Sequence, residues 1–380
     1  MEIYLDNCAT TKVCPQAAEA CMTAMVEAYG NPSSLHKKGL EAEHLVTRTR
    51  KIAAGLLGCD SSSIIFTGGA TDSNNIAILG GIAARARRGK TIVTSAVEHP
   101  SVSRTLDALA EQGYTIRRIS PKPDGNFSAA DFVDAIDEDT VMLTFMMVNN
   151  EMGTILPYDK IIPAARKKFP DLLIHMDGVQ GFTKLPLQVR RLDLDLFSFS
   201  GHKLYAPKGI GGLYIKKGVR ILPVEHGGGQ EQGIRSGTLS VPLIAALGEA
   251  LTLCQEQRSA ILENYRQRQT QLRERLSHMP EVVINSPENC CPHLLNLSVP
   301  GIPSEIMLHT LEEKGIYVSS GSACAGGALS ETLAAYGLPP ERIRSALRIS
   351  FSRETTAEEI DIFADQLAAA IQRLSRVIGR

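Results

Sequence analysis

The chain has 380 residues, comfortable for two domains, with the 43% hydrophobic and 21% charged content of a soluble globular protein. Its 40 basic and 41 acidic side chains leave a formal charge of -1, so whole-chain charge gives no footprint for nucleic acid or an anionic membrane surface. No run approaches the roughly 18 apolar residues of a membrane span, and the acidic start MEIYLDNCATTK lacks the basic and apolar regions of a secretory signal, which makes the cytoplasm the expected compartment.

Residues 15–29 and 40–57 read as helices. SIIFTGG (63–69) reads as a strand, and ATDSNNIAILGGIAARARR after it as a helix. TIVTSA (91–96) is a strand, and 100–113 a helix with proline in its first turn. YTIRRI is a strand and SAADFVDAI a helix. TVMLTFMMV (140–148) is a continuous apolar run, as expected of a strand covered on both faces. YDKIIPAARKKF is helical apart from its proline, and LLIHMD (172–177) and DLFSFSG (195–201) are further strands. Such alternation predicts an α/β fold with a mostly parallel sheet between helices, and ligands gathered at the carboxyl ends of strands. From about residue 241 the pattern shifts to one long helix, 241–277, then short strands with helices at 303–314 and 356–377, a smaller α+β unit. The basic clusters at 85–88, 166–168 and 373–376 sit towards helix C-termini, where they complement the dipole.

Candidate chemistry falls just after strands. SFSGHKLYAPKGIGGLYI places Lys203 between an apolar strand and a glycine-rich turn, where partial desolvation lowers an amine's pKa as Schiff-base chemistry requires; an ordinary surface lysine is the other reading. Asp177 ends the strand LLIHMD, and a carboxylate there needs a cation or several donors; it reads as a partner for a protonated ring nitrogen or as a helix N-cap. FTGGATDSNN sets Ala70 and Thr71 at a helix start, a phosphate cradle of free N–H groups and a hydroxyl. EHPS and VNNEMGT add His99, an imidazole able to stack on a flat ring, and the pair Asn149 and Asn150. Near the end, SSGSACAGG sets Cys324 among small residues that leave a thiol exposed. Eight irregularly spaced cysteines form no disulfide framework and no zinc pattern.

With GNPSS, FTGGATDSNN, EHPS, VNNEMGTILP, MDGVQ, SGHKLYAPKGIG, IRSGT, SSGSAC and LRISFS in this order, essentially the whole chain resembles the cysteine desulfurases, in the class V aminotransferase branch of pyridoxal-phosphate enzymes. The resemblance implies the aspartate aminotransferase-like fold. Residues 13–256 would form a large domain binding pyridoxal 5'-phosphate, and 1–12 with 257–380 a small domain carrying the catalytic cysteine loop, about 319–330. It implies that Lys203 links covalently to the cofactor, Asp177 pairs with the ring nitrogen, Gln180 hydrogen-bonds the phenolic oxygen and His99 stacks on the ring. Ala70, Thr71, Ser200 and His202 would hold the phosphate, with Thr238 reaching across from the second subunit of a homodimer. Arg348 would clamp the substrate carboxylate, its planar fork matching that group as a lysine does not, with Asn150 and Asn31 assisting. L-cysteine would yield L-alanine, leaving its sulfur as a persulfide on Cys324 for an acceptor protein in iron–sulfur cluster assembly or in tRNA or cofactor thiolation. Lys203 and His99 would carry protons. No metal, membrane or direct nucleic-acid partner is implied.

Two features depart from the family's pattern. Cys8 in DNCATT is expected to be a packing cysteine, with a second sulfur-accepting thiol as the sharper alternative. The stretch after Cys324, AGGALSETLAAYG, is glycine-rich and short, which bears on partner choice. Cys290 and Cys291 read as structural. The alternatives in function are another class V enzyme, such as a selenocysteine lyase or an aminotransferase, and a partner-binding protein with a degenerate site, against which Lys203, Asp177, His99 and Arg348 speak.

Overall fold

The structure, a computed structural model, describes residues 2–320 and 329–378; Cys324 lies outside the described residues. A short strand β1 (Ile3–Tyr4) precedes helices Pro15–Val26 and Lys37–Leu57. Seven strands build the central sheet: β2 (Ile64–Thr67), β3 (Thr91–Ser95), β4 (Thr115–Ile119), β5 (Thr140–Met146), β6 (Leu173–Asp177), β7 (Leu196–Ser200) and β8 (Gly211–Ile215). They lie in the order β2-β8-β7-β6-β5-β3-β4. β4, β3, β5, β6 and β7 are parallel, and β8 is antiparallel to both neighbours. The fold is α/β with a mostly parallel mixed sheet, as the alternating pattern predicted.

The apolar runs explain why both faces are covered. Side chains alternate along each strand, so Ile65, Ile92, Leu173, Leu196 and Leu213 join one apolar cluster, with Ile76, Ile82 and Leu106 from the helices. Their neighbours Phe66, Val93, Ile174, Phe197 and Tyr214 join the other.

Four elements differ from expectation. β8 was expected as a glycine-rich turn. It is a strand whose glycines answer to crowding, since a Cβ on Gly212 would lie 2.3 Å from the Phe199 ring and one on Gly211 2.6 Å from the Phe199 carbonyl oxygen. The helix expected after Thr67 is Ala70–Asn75, a π-helical turn Ile76–Gly80 and Gly81–Ala83; π turns inside helices recur beside functional sites. The long helix breaks at Gln257 into Val241–Glu256 and Arg258–Ser277. At the break Arg258 donates to the carbonyls of Thr183 and Leu185. Helix Tyr158–Lys168 runs through Pro163, held by buried Ile161, Ile162 and Ala165; tertiary packing outweighs the local penalty of about 3 kcal/mol.

A second sheet is antiparallel throughout: β9 (Val283–Ile284), β10 (Leu294–Ser298), β12 (Ser319–Ser320) and β13 (Ala346–Ser350), in the order β12-β13-β10-β9. β1 pairs in parallel with β11 (Ile316–Tyr317). The segment after β1 then leaves this region for the central sheet. Among the described residues no helix is long and apolar enough to cross a membrane.

Candidate active site

A cleft of about 1180 Å³ opens at the carboxyl ends of the parallel strands, bordered by Gly69, His99, Asp177, Gln180, Lys203 and Arg348. Its depth comes from the sheet and one wall from β13.

Asp177 ends β6 and is buried. Its Oδ2 accepts from Asn74 Nδ2 at 2.8 Å and its Oδ1 from the Val179 N–H at 2.9 Å. No lysine or arginine among the described residues pairs with it. A buried carboxylate held only by neutral donors is suited to receiving a cation from the cleft.

Lys203 ends the single turn Gly201–Lys203 that follows β7. Its Nζ donates to the carbonyl oxygens of Cys8 and, at 2.6 Å, of Ala9. Burial pulls its pKa from 10.5 down to about 8, which brings a neutral, nucleophilic amine within reach of physiological pH.

His99 is the N-cap of helix Pro100–Glu111, its Nδ1 accepting from the Ser101 N–H at 3.1 Å. Desolvation holds the ring below the usual imidazole pKa, against the opposing pull of Asp177. It is therefore neutral with its proton on Nε2. Its chain neighbour Glu98 is buried, and burial pushes its carboxyl up to about 8; its Oε1 accepts from Ser95 and from the Met146 N–H, while Oε2 has no partner among the described residues.

The glycine turn leads into helix Ala70–Asn75 through Gly69 at φ 142°, a backbone state only glycine adopts readily. Its first N–H groups, at Ala70 and Thr71, have no helical acceptor. Asp72 steadies the turn by accepting from the Gly68 N–H at 2.7 Å, and its Oδ2 also meets Arg235 Nε at 3.3 Å. Ser200 and His202 border the same end of the cleft. His202 Nδ1 lies 3.3 Å from Thr10 Oγ1, and burial with the nearby Lys203 lowers its pKa to about 4.

Arg348 lies in β13 with its guanidinium almost wholly buried. Nη1 donates to the Asn150 carbonyl at 3.0 Å and Nη2 to Asp6 Oδ1 at 2.8 Å, while Nε has no partner. A fork with one orphaned donor beside an open cleft is suited to an arriving carboxylate. Asn150 faces the cleft. Its neighbour Asn149 is structural, accepting from the N–H groups of Glu151 and Met152.

One chain thus brings together Ala70, Thr71, His99, Asn150, Asp177, Gln180, Ser200, His202, Lys203 and Arg348. Thr238 and Asn31 are exposed and do not border this cleft; Asn31 Oδ1 accepts from the Ser33 N–H. Cys8 is buried at the cleft edge, and burial raises its thiol pKa, so it is a protonated packing thiol. Cys290 and Cys291 are buried too, and the described residues contain no metal-binding cluster. Sequence reasoning missed Asn74 and Asp6. Asn74 had a signal: four residues beyond Ala70, it returns to the same helix face.

The fold and cleft define a class V aminotransferase: the model for aminotransferase class-V matches residues 3–363. The NifS/IcsS protein homolog of Lactobacillus delbrueckii subsp. bulgaricus is 40% identical, over 99% of this chain and 98% of its own length. Cysteine desulfurase IscS of Methanosarcina thermophila is 38% identical, over 98% of this chain and 92% of its own. Among solved structures a NifS-like protein matches with a TM-score of 0.93 at 34% identity, covering 98% of this chain and 100% of that one. SspA in complex with cysteine matches at 0.82 and 32% identity, covering 93% and 100%. The chain belongs to the cysteine desulfurase family.

Proposed function

We propose that this protein converts L-cysteine to L-alanine and holds the released sulfur as a persulfide on Cys324 for transfer to an acceptor protein. The observation that carries the reading is the single cleft joining a low-pKa amine, a buried carboxylate without a cation and an arginine fork with a free donor. That donor set fits pyridoxal 5'-phosphate. The Gly68–Thr71 turn with Ser200 and His202 would take the phosphate, Asp177 the ring nitrogen, Gln180 the phenolic oxygen, His99 the ring face and Lys203 the carbonyl carbon. When bound, the cofactor supplies an electron sink for charge that develops at the substrate's α-carbon.

The chain's own groups do the rest. Arg348 binds and orients the substrate carboxylate, with the Asn150 carbonyl and Asp6 holding the fork in place. Lys203 and His99 carry the proton in this reading, the amine with its pKa pulled down to about 8 and the imidazole as a neutral ring able to accept one. Cys324, as thiolate, takes the substrate's sulfur: a sulfur–sulfur bond forms, the carbon–sulfur bond breaks with its electron pair staying on carbon, and protonation there completes alanine. Thr238 belongs, in this reading, to a site shared across a homodimer. It divides the chain into 13–256 and 1–12 with 257–380, supported by the separate sheet of each part. Seven free cysteines among the described residues suit a reducing compartment, the cytoplasm.

The test measures alanine and protein-bound persulfide from L-cysteine in the parent, Lys203→Ala and Cys324→Ser. The parent should form both products and carry a visible cofactor band that Lys203→Ala alters. Cys324→Ser should form no persulfide. Persulfide formed by Cys324→Ser at the parent rate would overturn the reading.

A further inference from the structure

Gln180 sits just past β6, at the cleft edge, with both ends of its amide engaged. Nε2 donates to the Cys8 carbonyl at 3.1 Å, and Oε1 lies 3.1 Å from His293 Nε2. His293 in turn places Nδ1 3.1 Å from Cys291 Sγ. All three side chains are almost wholly buried: Gln180 is 5% exposed, His293 2% and Cys291 0%.

We propose that Cys291 and His293 are positioning residues that fix the Gln180 amide with its N–H₂ end toward the cofactor. This rests on the cofactor reading given above. Proton counting makes the arrangement one-directional. The Cys8 carbonyl only accepts, so the Gln180 amide must turn its nitrogen there and its oxygen to His293. His293 must then donate from Nε2. Burial, with the positive charges of Lys184, Arg348 and Lys203, holds its pKa well below the ordinary value, so the ring is neutral and Nδ1 is an acceptor. Cys291 supplies the matching donor, since burial pushes its thiol up to about 12 and keeps the S–H. Every donor in the row meets an acceptor, and the second Nε2 hydrogen of Gln180 is left for the cleft.

The backbone holds the row rigidly. The Cys291 N–H donates to the Gly153 carbonyl at 2.8 Å, and the His293 carbonyl accepts from the Phe351 N–H at 2.8 Å. The row therefore crosses from the smaller sheet, beside β10 and β13, to the end of β6. Without His293 the amide oxygen is buried without a donor, and rotating the amide to find one would present an acceptor to the cofactor's phenolic oxygen.

The experiment follows the visible band of the bound cofactor through a pH titration. A donor on the phenolic oxygen draws charge off it and weakens its hold on the neighbouring imine proton, so losing that donor raises the band's pKa. Gln180→Leu sets the full shift, about one unit or more. His293→Leu should shift the band the same way, and His293→Gln, which restores a donor, should return it towards the parent. Cys291→Ala should give a smaller shift in that direction and Cys291→Ser none; this pair serves if His293→Leu does not fold. A parent band unmoved in both His293→Leu and Cys291→Ala, or in Gln180→Leu, overturns the inference. A parent without any band overturns the cofactor reading and this inference with it.

Discussion

Replacing Lys203 with methionine should change the stability of the cofactor-stripped protein in a way that reverses with pH. The amine's pKa falls from 10.5 in the open chain to about 8 in the fold. A gap of about 2.5 units corresponds to about 3 kcal/mol. Between about pH 8 and 10.5 the unfolded chain binds the proton that the folded one has released, so stability rises with pH there. Below about pH 8 the folded protein carries the full penalty. Methionine removes that penalty but also the two hydrogen bonds from Nζ to the Cys8 and Ala9 carbonyls, at about 1 kcal/mol each, the Cys8 oxygen keeping Gln180 Nε2. The variant should therefore be about 1 kcal/mol more stable than the parent at about pH 7 and about 1 kcal/mol less stable at about pH 10. Urea unfolding of both proteins at the two pH values gives the comparison, and other titrating groups cancel in the difference. A parent–variant difference equal at both pH values within about 0.5 kcal/mol would refute the claim that burial sets the Lys203 pKa.

Further outcomes follow from other contacts. Arg348→Lys keeps a charge and loses the fork, so KM for L-cysteine should rise about tenfold or more; an unchanged KM would remove Arg348 from substrate binding. Arg50 holds the buried Glu231 carboxylate through Nη2 at 2.6 Å and Nη1 at 2.9 Å. Arg50→Ala leaves that carboxylate with the Phe66 N–H as its remaining partner, so urea unfolding should show a loss of about 3–5 kcal/mol. Glu98, pushed up to about 8 by burial, stabilises the fold fully below the ordinary carboxyl range and loses that contribution as pH rises through about 8. Stability of the parent relative to Glu98→Gln should accordingly fall between about pH 5 and 8, and a flat difference would contradict a protonated Glu98.

Elements with a strong period were legible in the sequence. The apolar runs at 140–148 and 172–177 read as strands covered on both faces, and they set Asp177 at a carboxyl edge. What escaped depended on contacts far along the chain. Gly211 and Gly212 read as a turn because nothing local announces that Phe199 will fill the space above them. Asp6 gave no hint that it would meet Arg348, since neither residue's neighbourhood encodes the other. Asn74 lay inside a quoted motif, yet its role depends on β6 arriving 103 residues later. Resemblance suggested roles for Gln180 and Arg348, which composition and spacing alone left unassigned.

The segment that closes over Lys203 also dictates when this protein can finish folding. Asp6 and Arg348 are 342 residues apart, Cys8 and Ser350 likewise, and β1 waits for β11 to pair. During synthesis those early residues leave the ribosome long before their partners exist, while the central sheet can already assemble from residues 64–215. Closure of so long a loop adds an entropic barrier that local contacts do not lower. The cleft should therefore be the last region to become native, and a chain stalled before residue 346 should hold a folded sheet whose cleft still lacks the wall that carries Arg348.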